Sequence, residues 1–109
     1  MNKDTSSPEV EVLHRHAEVF MDSLVRQVNE ARRSKGLSIP AFARAAGQPA
    51  SSARRKLADR GVVYIRDLFT WARAFGPTDE EGWETVLEWV RVAQGEADEA
   101  VPRTWRDAA

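Results

Sequence analysis

The stretch Leu37-Ser-Ile-Pro-Ala-Phe42-Ala43-Arg-Ala-Ala-Gly47-Gln-Pro-Ala-Ser-Ser-Ala53-Arg-Arg-Lys-Leu57 decides how the rest of the chain is read. Ser38 is placed to cap a short helix, and Pro40 is tolerated in its first turn because the amides there have no intrahelical acceptor. Phe42, Ala45 and Ala46 fall on the side expected to be buried, and Gly47 stops the helix. Pro49 then opens a second short helix that runs to about Ala58. Two helices that cross closely need a small residue at the crossing, and a glycine four residues later where the tight turn takes a positive φ. Ala43 and Gly47 have that spacing. The second helix is expected to turn Ala50, Ser51, Arg54 and Arg55 outward: short side chains that admit close approach, then long donors that reach base edges and phosphates.

Toward the N-terminus, Ser6-Ser7-Pro8-Glu9 is a helix-start signal, and no glycine or further proline appears before Gly36. Val10, Leu13, Ala17, Phe20, Met21, Leu24, Val25, Val28 and Ala31 recur at helical spacing, so one long helix is expected over about residues 8–35. Arg32, Arg33 and Lys35 suit its negative C-terminal end. Toward the C-terminus, Arg60-Gly-Val-Val-Tyr64 reads as a connector. Ile65, Leu68, Phe69, Ala72 and Phe75 make a fourth helix closed by Gly76-Pro77. Thr78-Asp-Glu-Glu81 is a capping box for a fifth helix with the stripe Trp83, Val86, Leu87, Val90 and Ala93, expected to end at Gly95. The expectation is an all-α domain of five helices with an extended N-terminal helix. It occupies residues 8–94, between a disordered segment at 1–7 and an acidic, mostly disordered tail at 95–109, apart from docking of Trp105.

Charge is segregated along this chain of 109 residues, whose net charge is only −1. Residues 32–66 hold nine basic residues and one acid, Asp59, whereas residues 1–31 balance to −3 and residues 67–109 to −6. The positive block coincides with the two short helices. Within it and at its edge, Arg33, Lys35, Arg44, Lys56, Arg60 and Arg66, with the hydroxyls of Ser38 and Ser52, are the candidate phosphate contacts. The acidic flank would then lower non-specific adhesion to polyanions.

Other chemistry finds little support. The absence of cysteine removes disulfides, thiolate zinc sites and thiol catalysis. His14 and His16 are two apart on a helix and face different ways, so no metal site is expected. Asp79, Glu80, Glu81, Glu84 and Glu88 suit the positive start of a solvated helix better than a catalytic cluster. Ser51 and Ser52 have no paired base. The sequence thus indicates no enzyme, no cofactor and no small-molecule ligand. The N-terminus lacks a signal-peptide core and no apolar run approaches ~18 residues, so a cytoplasmic, nucleoid-associated protein without a membrane partner is expected.

The segment from Leu37 to Leu57 resembles the Cro and lambda-repressor-like helix-turn-helix family of phage and bacterial regulators, with the motif at about residues 38–58. The likeness extends through Asp67-Leu-Phe-Thr-Trp-Ala72-Arg-Ala-Phe-Gly76 and covers roughly residues 22–92. It implies that the second short helix lies in the major groove of double-stranded DNA, with Ala50, Ser51 and Arg55 at base edges and Arg54 on the flank. Three positions depart from the pattern. Pro49 replaces a polar residue, Ile39 stands where a glutamine often touches phosphate, and Lys56 sits near a normally apolar position that Leu57 takes over. They leave both Arg54 and Arg55 as candidates for reading bases. The function implied is a sequence-specific regulator of the phage-repressor or Cro type.

For the long helix, the recurrence of Val10, Ala17, Leu24 and Ala31 every seven residues fits homodimerisation, and packing on the fifth helix fits as well. Val10, Val12, Leu13, Val19, Phe20 and Trp89 are the candidate dimer or partner contacts, Val12 and Val19 being expected on the face opposite the main stripe. Trp71 and Trp83 are expected in the core. The alternative functions are a protein-interaction module on the same fold, such as an antitoxin or a phage factor engaging a host protein, and a recombination accessory protein that bends DNA.

Overall fold

The computed structural model describes residues 8–76 and 78–101, and the expectations for residues 1–7 and for Trp105 lie outside them. Five α-helices follow one another without a strand among the described residues: α1 (Pro8–Ser34), α2 (Ile39–Ala46), α3 (Ala50–Leu57), α4 (Ile65–Ala72) and α5 (Asp79–Ala100). The expected all-α class and helix order are those observed.

Local chemistry sets most helix ends. Gly36, at φ 72°, ends α1, with its amide donating to the Arg33 carbonyl at 2.9 Å. Ser38 Oγ accepts from the Ala41 amide at 3.2 Å and caps α2. Thr78 Oγ1 accepts from the Glu81 amide at 3.1 Å and caps α5. The core is built from all five helices: Leu24 and Val28 of α1, Phe42 and Ala46 of α2, Leu57 of α3, Leu68, Trp71 and Ala72 of α4, and Val86, Trp89 and Ala93 of α5. Phe75 joins them across the centre, 5.7 Å from the Phe42 ring and edge-on to Trp89 at 5.9 Å. Burying a side chain of the size of Phe42 contributes roughly 1.5–3 kcal/mol.

α1 and α5 pack antiparallel. His16 Nε2 lies 2.8 Å from Asp98 Oδ1, and Gln27 Nε2 donates to the Trp89 carbonyl at 2.8 Å, so numbers rise along one helix as they fall along the other. Arg26 Nη2 donates to both carboxylate oxygens of Glu96 at 2.6 Å, and this guanidinium holds the Glu96 carboxyl below the usual carboxylate range.

Val12 and Val19 are half-buried on the α5 side of α1, with His16, Ser23 and Gln27, rather than on an outward face. The seven-residue seam does not run free along α1, because Leu24 is in the core. Phe20 packs partly against the core, while Leu13 and Ala17 are exposed. On α5 Val86 and Ala93 of the expected stripe are buried and Val90 packs partly on the core, but Trp89 and Ala97 are buried where Trp83 and Leu87 were expected. Trp89 is therefore a core residue, whereas Trp83 stays 54% exposed and stacks on Phe69 at 5.4 Å. Leu87 and Ile65 are also exposed, and on α2 it is Ala43, not Ala45, that is buried with Phe42 and Ala46.

α5 continues through Gly95 to Ala100 instead of stopping. Ala97 and Val101 beyond it are buried, and that packing outweighs the conformational cost of one glycine. A Cβ at Gly95 would meet nothing within 4 Å. Gly95→Ala is accordingly expected to raise stability by about 0.5–1 kcal/mol, seen as a higher urea midpoint at unchanged slope.

Candidate nucleic-acid interface

The turn between α2 and α3 has the geometry expected from its residues. Gly47 sits at φ 78° and ψ 32°, its amide donates to the carbonyls of Ala43 and Arg44, and the Gln48 amide donates to the Ala43 carbonyl at 2.9 Å. Ala43 is buried at the crossing. On α3, Ala53, Lys56 and Leu57 face inward. Ala50, Ser51, Arg54 and Arg55 are exposed, and Ser52 is half-buried. At about 100° per residue, Ser51 lies near the centre of the outer face, with Arg54 on one side of it and Arg55 on the other.

Lys56 does not belong with the surface cations. It is only 8% exposed, and its ammonium meets both carboxylate oxygens of Asp67, itself 3% exposed, at 2.9 Å. Asp67 also accepts from the Tyr64 amide at 2.7 Å and from Gln48 Nε2 at 3.3 Å, and Trp71 Nε1 donates to Gln48 Oε1 at 2.8 Å. This network joins the turn, α3 and the start of α4. The expected phosphate contact is thus a positioning residue: Lys56 shares the inward side of α3 with Ala53 and Leu57, and its charge is answered by a carboxylate from the next helix. A second polar tie holds the end of α3 to α1. Asn29 Nδ2 donates to the Leu57 carbonyl at 3.1 Å, and Arg32 donates to Asn29 Oδ1 and to the Leu37 carbonyl.

Removing the buried Arg32 and Lys56 from the nine basic residues of the positive block leaves seven: Arg33, Lys35, Arg44, Arg54, Arg55, Arg60 and Arg66, all exposed. Against them stands Asp59, also exposed, so the solvent-facing balance is +6. Arg33 and Arg60 border one cleft of about 730 Å³ between α1 and the segment after α3. The Arg66 guanidinium lies 5.1 Å from the Tyr64 ring centre, and the Lys35 ammonium lies 5.9 Å from that of Phe75. Ser38 spends its oxygen on the α2 cap but retains a hydroxyl proton to donate. Among the described residues, no group of three His, Asp or Glu stands together to hold a metal ion, and no helix is long and apolar enough to cross a membrane.

Arg60 has a second distinction. At φ 59° it is the one non-glycine among the described residues with positive φ. The left-handed region costs such a residue roughly 1–2 kcal/mol, whereas glycine there gives up ~0.5–1 kcal/mol of chain entropy. Arg60→Gly is therefore expected to stabilise the fold by about 0.5–1 kcal/mol in denaturant melts while removing an exposed cation. A destabilised variant would show that Arg60 is not strained.

No family model, curated protein or solved structure matches this chain. A functional reading therefore rests on the chemistry of the chain itself.

Proposed function

We propose that the protein binds double-stranded DNA in a sequence-specific manner, as a helix-turn-helix transcriptional regulator of the phage-repressor or Cro type. The observation that carries this reading is the outer face of α3. It presents Ser51 between two exposed arginines, on a helix held from behind by the Lys56–Asp67 network. Short residues at the start of the helix let it approach a groove floor, and guanidinium groups fork onto guanine O6 and N7. The surrounding exposed cations supply the phosphate term, in which counterion release dominates affinity. The proposed activity is binding rather than catalysis, and it locates the protein with DNA in a bacterial or phage-infected cell.

The interaction-module alternative relied on Val12, Val19 and Trp89. Trp89 lies in the core and the two valines are half-buried toward α5, while Val10 and Leu13 of the candidate contacts remain exposed. The test is fluorescence anisotropy with random duplex at low and high salt, followed by selection of bound duplexes from a random pool. Binding that weakens steeply with salt and yields a consensus supports the proposal. Absence of binding at low salt rejects it.

A further inference from the structure

The connector between α3 and α4 shows an apolar surface that neither the core nor the α3 face accounts for. Val62, Tyr64 and Ile65 are 67%, 50% and 71% exposed, and they are three of the seven exposed large apolar side chains among the described residues. Single exposed apolar residues are ordinary, but three within four positions form a patch. Arg60 precedes it and Arg66 follows it, both exposed.

The backbone that carries the patch is fastened at both ends to the elements that hold α3. The Gly61 amide donates to the Arg55 carbonyl at 2.7 Å, and the Tyr64 amide donates to Asp67 at 2.7 Å. A Cβ at Gly61 would fall 2.8 Å from Arg55 Cγ, so the connector passes directly against the root of an outward-facing arginine of α3. The Tyr64 ring is held between cations, Lys56 at 5.2 Å and Arg66 at 5.1 Å. The connector that carries Val62 and Ile65 is therefore held against α3, whose outer face is proposed to enter the major groove, and Val62 also borders the cleft toward α1.

We propose that this connector is a second DNA contact: Val62 and Ile65 form an apolar wedge against the neighbouring minor groove, with Arg60 and Arg66 on the flanking phosphates, and the wedge bends the duplex. The inference rests on the DNA-binding reading. Charge selects the occupant. A second copy seated on the patch about a two-fold axis would set the flanking arginines of the two copies against one another, whereas a polyanion is complementary to them. Apolar wedges beside arginines unstack base steps and kink DNA by about 20–90°.

The experiment uses the full chain and one selected duplex labelled at both ends, with anisotropy for binding and energy transfer for end-to-end distance. Wild type is expected to raise the transfer efficiency on binding. The Val62→Ala, Ile65→Ala double variant is expected to keep salt-dependent binding while losing that rise. Binding by wild type without a change in transfer, or a full change in the double variant, overturns the wedge and leaves DNA binding standing. No binding to any duplex at low salt overturns the DNA reading and the wedge with it. A fall in sedimentation mass in the double variant assigns the patch to a second copy and overturns the proposal.

Discussion

Asp67→Ala is expected to destabilise the protein by about 3–5 kcal/mol, because it leaves the Lys56 ammonium buried without its counter-charge. The Tyr64 amide and Gln48 lose their acceptor in the same step. For a domain of this size such a loss lowers the melting temperature by on the order of 20 °C, which a circular-dichroism melt resolves. The double variant Lys56→Met, Asp67→Asn removes both charges and keeps an acceptor for the Tyr64 amide, so it is expected to recover most of the loss. The same pair bears on function, since it joins the turn at Gln48, helix α3 and the start of α4. An Asp67→Ala protein that melted within about 0.5 kcal/mol of wild type would show that the ion pair does not hold these elements.

The second large effect is expected at the outer face of α3. Two bidentate arginine contacts contribute roughly 1–3 kcal/mol of discrimination each. Arg54→Ala combined with Arg55→Ala is therefore expected to weaken binding to a selected duplex by about 30-fold to 10⁴-fold. Binding to random duplex should fall far less, because Arg33, Lys35, Arg44, Arg60 and Arg66 remain exposed and would still be available to phosphates. The single variants separate the two roles. An arginine that reads a base relaxes preference at one position of the site, whereas one that met phosphate would weaken all sequences alike and reduce the salt slope by about one. An equal loss on every sequence from both single variants would place base recognition elsewhere. Lys56→Ala is not a phosphate probe, since its expected effect is on stability through Asp67.

What was legible before folding was local. Gly47 ends α2 in a left-handed turn because the chain passes from α2 to α3 within three residues, and Ser38 and Thr78 cap helices with their own side-chain oxygens. Ala50, Ser51, Arg54 and Arg55 were likewise assigned outward on α3 from spacing alone, and they are exposed. The misreadings have a common origin in partners distant along the chain. The stripe expected on α5 takes in Trp83 and Leu87 beside Val86, Val90 and Ala93, because all are apolar at helical spacing. α1 and α4 instead take the side with Val86, Trp89 and Ala93, and Trp83 is left to stack on Phe69 at the rim. Ile65 fits the spacing of an α4 core residue but opens that helix next to the connector and stays largely exposed. Gly95 carries a stop signal that Ala97 and Val101 override through burial. Asp67 could be seen as an acid three residues after a helix start, but nothing in the spacing told that it would face Lys56.

The same division applies to the positive block. Its composition alone established that cations gather between residues 32 and 66, on and around the two short helices, while acids flank them, because formal charge and order along the chain need no fold to be counted. Helix number, helix order and the turn at Gly47 also follow from short-range hydrogen bonding and backbone sterics. Which cations reach solvent was decided by packing. Arg32 is drawn inward by Asn29 and the Leu37 carbonyl, and Lys56 by a carboxylate that belongs to the acidic flank, leaving a surface balance of +6 in place of +8. A side chain's charge is a property of its residue, but its exposure depends on what the rest of the chain brings against it.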